Sequence, residues 1–154
     1  MDKYEKLISE TPQDVTIDEN HPFKGKLSGL YVDGNIALSD KLKTSKEKAC
    51  VLAEELGHHH TSHGNIIDMR QAINRKQEHK ARLWGYNRLI GLYGLINAFE
   101  KGCRDKHEIA DYLEVTENYL DEAINCYREK YGEGKGIDNY YVIFEPSLKI
   151  LKMI

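Results

Sequence analysis

The chain has 154 residues, 40% of them hydrophobic and 31% charged, with a formal net charge of −3. This balance is typical of a soluble globular domain, or of one domain with a small appendage, and it excludes fibrous, disordered and membrane-spanning classes. The opening run MDKYEKLISE is charged and contains no signal peptide or membrane span, so we expect a cytoplasmic protein without a membrane partner. Three widely spaced cysteines predict reduced, mostly buried thiols rather than a disulfide framework.

The first half of the chain predicts a hairpin followed by a helix. Residues 1 to 24 contain one short helical pattern and then a polar lead-in. Two β-rich runs between Leu27 and Leu38 flank an Asp33-Gly34 turn, which indicates a β-hairpin. The segment Thr44-Ser45-Lys46-Glu47 has the form of a capping box and opens a helix with a strongly apolar side. Gly57 and Gly64 weaken the helical propensity of the sequence, so we predict that this helix ends between His58 and Gly64.

The second half of the chain is predicted to be mainly helical. Residues 66 to 99 lack proline and repeat apolar residues at helical spacing, which indicates one long helix or two helices joined near Gly91 or Gly94. Residues 105 to 131 contain two further helical patterns, and residues 140 to 144 form a strand pattern. The whole chain is therefore expected to be an α+β protein, mainly helical, with a small antiparallel sheet.

One turn of the first long helix has the spacing of a metal-dependent hydrolase motif. Positions i and i+4 share a helix face, so Glu54 and His58 can point at one ion while Glu55 flanks it. This pattern is H-E-x-x-H with glutamate in place of the first histidine. In that motif two helix residues bind zinc, and the intervening glutamate acts as general base on a water molecule. A carboxylate oxygen is an acceptable zinc ligand.

The histidine run that follows allows the register of the motif to be checked. Taking Glu55 and His59 as the ligands would put Leu56 at the position of the base, whereas taking Glu54 and His58 puts Glu55 there. Spacing alone leaves a second interpretation open, in which the two glutamates form a solvated face and the histidines a polar helix end that interacts favourably with the helix dipole.

A catalytic zinc ion needs a third protein ligand and an open position for water. We predict Glu78, because it lies twenty residues after His58 on the next helix, which is far enough for the chain to return antiparallel to the motif helix. The alternatives are nearby residues of ligating type, namely Asp68, His63 and His79.

The segment Val51 to His59, continuing through Thr61 and Gly64-Asn65-Ile66, resembles the active helix of the ImmA/IrrE family of metallopeptidases from phages and mobile elements. The resemblance continues in the Gly29 to Gly34 hairpin, in the block from Asn74 to Trp84 and in the closing Tyr141 to Pro146. It implies a zincin-like minimal metallopeptidase fold over residues 1–100, with a helical, helix-turn-helix-like C-terminal region and a final strand over residues 101–154, packed on the first domain.

The resemblance also implies an activity. Members of this family are zinc endopeptidases that cleave a helix-turn-helix repressor and so release the genes of a mobile element. The family's metal ligands fall on Glu54 and His58, and its general base falls on Glu55. A second donor is needed for the oxyanion, and the nearby histidines offer this or a supporting role: His59, His60 and His63.

Charge distribution decides between the remaining alternatives. Residues 69–88 carry a balance of +5, which we interpret as a solvated helix face that pairs with carboxylates. Residues 104–131 have helix-turn-helix spacing but a balance of −4, so phosphates would be repelled and a nucleic-acid partner is not expected. The main rival to the enzyme is a non-catalytic protein that binds the repressor on the same fold and has weakened or lost metal binding. A DNA-binding regulator is a third, less favoured hypothesis.

Overall fold

A computed structural model of the chain describes residues 1–61 and 71–154. The chain is α+β and about half helical, and it divides into two compact units, Met1–Arg88 and Leu89–Ile154. The expected fold class is therefore confirmed at the level of an α+β protein with small sheets. Residues 89–100, which we assigned to the first domain, lie in the second unit.

The described part of the first unit combines three strands with three helices. In chain order its elements are α1 (Lys3–Ser9), β1 (Thr16–His21), β2 (Gly29–Val32), β3 (Asn35–Ser39), α2 (Ser45–Thr61) and α3 (Gln71–Leu89), the last residue of which belongs to the second unit.

The predicted hairpin is present as strands β2 and β3. The two strands are antiparallel, and the turn between them places Asp33 and Gly34 at φ angles of 47° and 82°, a left-handed region that glycine and aspartate enter more readily than other residues. The sheet order is β1-β3-β2, and β1 pairs with β3 in parallel. Strand β1 was not predicted, because this polar, mostly exposed segment has no alternating apolar pattern that would reveal a strand.

Helix α2 forms the centre of the first unit. The Thr44 hydroxyl accepts from the backbone N–H of Glu47, whose carboxylate accepts in return from the Thr44 backbone N–H, so the predicted capping box is confirmed. The helix packs against α1, β2 and β3 through an almost fully buried apolar side. That side consists of Ala49, Leu52, Ala53 and Leu56. The rigid packing of this side fixes the direction in which the motif residues point.

The second unit consists of α4 (Gly91–Glu100), α5 (Lys106–Leu113), α6 (Glu117–Tyr131), β4 (Gly134–Ile137), β5 (Tyr140–Ile143) and β6 (Lys149–Lys152). Gly91 has a φ of 64°, which interrupts the helix, so the junction lies at the first of the two predicted positions, Gly91 and not Gly94. The three strands form an antiparallel sheet in the order β4-β5-β6, of which only β5 was expected. Strands β4 and β6 have four residues each, rich in glycine or lysine, and are too short and polar to show a pattern.

Among the helices in the described part of the chain, none combines the length and the apolar character that crossing a bilayer requires. Cys50 and Cys126 are buried, Cys103 is half-buried, and all three are free thiols.

Candidate active site

A pocket of about 320 Å³ opens in the first unit between the β2 strand and the two long helices. Its strand side is formed by the hairpin and the residues just before it, and its helix side by α2 and α3. The lining residues are Leu27, Ser28, Gly29, Leu30, Tyr31, Val51, Glu54, Glu55, His58 and Glu78. The structure thus brings all four residues of the predicted metal and base set to one pocket.

His58 and Glu78 meet directly in this pocket. His58 Nε2 lies 3.3 Å from Glu78 Oε1, and the imidazole is 6% exposed. Burial alone would lower the pKa of His58, but the hydrogen bond to Glu78 and the negative charges of the surrounding carboxylates raise it overall. The same contact with His58 lowers the pKa of Glu78. The pair therefore favours an ionised carboxylate beside the imidazole.

Glu55 is buried, with only 7% of its surface exposed. Desolvation raises the pKa of Glu55 to about 7, opposed by the nearby His58 and reinforced by the negative charges of Glu54 and Glu78. A carboxylate with a pKa close to neutrality can both take and return a proton, as a general base requires. Its position in the wall of the pocket gives it access to a bound molecule.

Glu54 contributes to the pocket wall, but its carboxylate has a different partner. Arg82 Nε on α3 donates to Glu54 Oε1 at 2.9 Å. We expected this carboxylate to face an ion, but the interaction with Arg82 engages one of its two oxygens. Arg88 likewise pairs with Glu10, so two of the basic residues between positions 69 and 88 pair with carboxylates, as predicted.

Three other histidines that were predicted near the site, His59, His60 and His79, are not among the residues that line the pocket. His59 Nδ1 shares a 2.8 Å hydrogen bond with the Tyr31 hydroxyl, and the ring of His60 stacks on Trp84 with a centroid distance of 4.6 Å. His79 is exposed. Two other predicted candidates, His63 and Asp68, lie outside the described residues.

Sequence reasoning missed Tyr31 as a site residue. Tyr31 lines the pocket, and its hydroxyl is hydrogen-bonded to His59. A tyrosine in a β-hairpin is most often a packing residue, so its position in the chain carried no chemical signal. The fold brings it to the site because β2 lies against α2.

Gly29 allows the hairpin to approach the buried base closely. A Cβ at this position would lie 2.6 Å from Val51 Cγ1 and 2.9 Å from Glu55 Oε2. We expect Gly29→Ala to displace the Glu55 carboxylate and, with Glu55 as the expected general base, to reduce the rate of hydrolysis about tenfold, since small misplacements of catalytic groups are costly. Gly25→Ala is the matched control, because a Cβ there has no atom within 4 Å. Equal activities of the two variants, measured on one substrate, would contradict the close approach.

His58 and Glu78 provide two donors of the kinds that divalent metal ions bind. Zinc–nitrogen and zinc–oxygen bonds of about 2.0–2.2 Å at tetrahedral angles separate two ligand atoms by about 3.3–3.5 Å. The 3.3 Å between His58 Nε2 and Glu78 Oε1 falls in this range, so the hydrogen-bonded pair is spaced as two ligands of one ion would be. Within residues 1–61 and 71–154 there is no cluster of three or more His, Cys, Asp or Glu side chains suited to a metal.

The fold and the pocket define a small α+β domain in which a buried carboxylate shares one pocket with an imidazole–carboxylate pair. The Peptidase_M78 family model, described as the IrrE N-terminal-like domain, matches residues 10–125, about three quarters of the chain. The chain therefore belongs to this family of metallopeptidase type, and the resemblance to ImmA/IrrE proteins is confirmed. Comparisons with curated proteins and with solved structures gave no match.

Proposed function

We propose that the protein is a zinc-dependent endopeptidase that cleaves a helix-turn-helix repressor of a phage or mobile element and so relieves repression. One observation carries the proposal. The buried Glu55 carboxylate lies in the same pocket as the His58–Glu78 pair, whose 3.3 Å separation suits two ligands of one ion. Membership of the family supports the metal and the peptidase chemistry.

In this proposal His58 Nε2 and Glu78 hold the metal ion, and Glu54 is the third ligand when it leaves Arg82. A bound zinc ion supplies Lewis-acid polarisation of the scissile carbonyl and lowers the pKa of the attacking water. Glu55 takes a proton from that water and delivers it to the leaving amine. The burial that raises the pKa of Glu55 suits it to both transfers.

Tyr31 is proposed to stabilise the oxyanion of the tetrahedral intermediate. If His59 Nδ1 donates to the phenol oxygen, the Tyr31 hydroxyl proton is free to point into the pocket. Removal of one oxyanion donor typically costs about a hundredfold or more in kcat. We expect Tyr31→Phe to lower kcat about a hundredfold with little change in zinc affinity. An unchanged kcat would remove Tyr31 from this role.

The edge strand beside the pocket favours an extended polypeptide as substrate. Strand β2 ends the described β1-β3-β2 sheet, so its outer edge offers backbone groups to an added strand. Leu30 on this strand lines the pocket and is 42% exposed, so its side chain is accessible to a bound peptide. A peptide that pairs with β2 would pass over Glu55 and His58, which is the position that cleavage requires.

The direct test is incubation of the purified chain, loaded with zinc, with the helix-turn-helix regulator encoded beside its gene. Mass spectrometry should detect two fragments that together account for the whole regulator. Addition of a chelator should stop their formation, and restoring zinc should resume it. A regulator that stays intact with the zinc-loaded chain would contradict the proposed activity and substrate together.

The rival function is repressor binding without catalysis. The Arg82–Glu54 ion pair favours it, because one proposed metal ligand is engaged elsewhere. The two functions predict different results with the same regulator. A non-catalytic binder forms a stable complex that leaves the regulator intact and is insensitive to Glu55→Gln, whereas the enzyme releases fragments.

A further inference from the structure

Two helix faces meet side by side at the pocket. Glu54 and His58 lie one turn apart on α2, and Glu78 and Arg82 lie one turn apart on α3, so each pair shares a helix face. His58 contacts Glu78 and Glu54 contacts Arg82, at 3.3 Å and 2.9 Å. The four side chains thus form two adjacent cross-helix pairs, of which only one consists of two potential metal donors.

The backbone contact between these helices fixes the alignment. A Cβ at Gly57 would lie 2.1 Å from the carbonyl oxygen of Ala81, so α2 and α3 approach closely at the residues next to His58 and Arg82. Since the Arg82 guanidinium is held opposite Glu54 by this approach, the ion pair follows from helix packing and is not a chance surface contact.

The Arg82–Glu54 pair is open to competition. The Arg82 side chain is 56% exposed and that of Glu54 is 32% exposed, so solvent screens their attraction. A carboxylate in such a pair can exchange its partner for a divalent cation held by neighbouring ligands. The exchange would bring a third donor to the site formed by His58 and Glu78.

We infer that Arg82 sets the metal affinity of the pocket by holding the Glu54 carboxylate in competition with the metal ion. This inference rests on the proposed metal site. It makes Arg82 a positioning residue, which acts through Glu54 and does not itself touch the substrate or the ion. It also explains how a chain with glutamate at the first motif position can keep that residue out of the site until a metal ion arrives.

The test is a double-mutant cycle on the full chain, with zinc affinity measured by competition against a chromophoric chelator. Arg82→Gln should bind zinc about threefold to fivefold more tightly than wild type, the range expected for release of an exposed ion pair. In the Glu54→Gln background the same Arg82→Gln change should leave the affinity unaltered, because no carboxylate remains to be released. Arg82→Lys keeps the charge and should stay close to wild type.

An equal gain in both backgrounds would overturn the inference, since Arg82 would then act by simple repulsion of the cation. A loss of affinity in Arg82→Gln would overturn it as well. If zinc binds but positions 54 and 82 show no coupling, only the role of Arg82 is refuted. If neither wild type nor any variant binds zinc, the proposed metal site is refuted together with the role of Arg82. Circular dichroism melting curves should confirm that each variant is folded.

Discussion

Glu55→Gln is expected to lower peptidase activity by about a thousandfold while leaving zinc bound. A positioned general base contributes roughly a hundredfold to ten-thousandfold to catalysis, and an amide of nearly the same shape cannot accept the proton. Because Glu55 is buried in the pocket wall and is not one of the proposed ligands, its replacement should spare the His58–Glu78 pair. The rate of fragment formation from the regulator, at saturating zinc, measures the effect.

Two controls separate lost chemistry from lost structure. Zinc stoichiometry and melting temperature of Glu55→Gln should match those of wild type, and Glu55→Asp, which keeps a carboxylate, should retain more activity than the amide. Cleavage by Glu55→Gln at the wild-type rate would show that the proton is taken by another group and would remove Glu55 from the mechanism.

Gly57→Ala is expected to destabilise the first unit by about 2–3 kcal/mol, although alanine favours a helix by about 1 kcal/mol over glycine. The added Cβ would lie 2.1 Å from the Ala81 carbonyl oxygen and 2.8 Å from the carbonyl carbon. These are backbone atoms of α3, so the helices themselves must separate. Denaturant unfolding of the metal-free protein measures the free energy of unfolding.

Gly94→Ala is the matched control, since Gly94 also lies within a helix and an added Cβ would meet only side-chain ends, Leu113 Cδ2 at 3.3 Å and Ile90 Cγ2 at 3.9 Å. It should change the free energy of unfolding far less than Gly57→Ala. Separation of α2 from α3 should also draw Glu78 away from His58 and weaken zinc binding. A more stable Gly57→Ala protein would contradict the close contact on which the geometry of the pocket depends.

Local sequence signals predicted the helix that carries the site. The Thr44 capping box and the apolar side of the following helix are interactions within one element, so they can be read from spacing alone. Glu78 could be chosen from its distance along the chain and its residue type, and the structure brings its carboxylate to His58. Its role as a ligand remains a prediction.

Features that depend on tertiary contacts could not be predicted. The Arg82 partner of Glu54 and the position of Tyr31 depend on how α3 and β2 pack on α2, which no periodicity in either segment encodes. Strand β1 is polar, and it can be recognised as a strand only from its pairing with β3. A strand whose side chains are mostly solvated gives no alternating pattern, and its hydrogen-bond partner is distant in sequence.

The most direct test of the proposed site is an anomalous-difference map at the zinc absorption edge from crystals grown with equimolar zinc. We predict one strong peak within about 2.0–2.2 Å of both His58 Nε2 and a Glu78 oxygen, with the Glu55 carboxylate beside it but not bound. A map with no peak at this pocket, or with zinc held only by His59 or His60, would contradict the central claim that α2 and α3 together form a metallopeptidase centre.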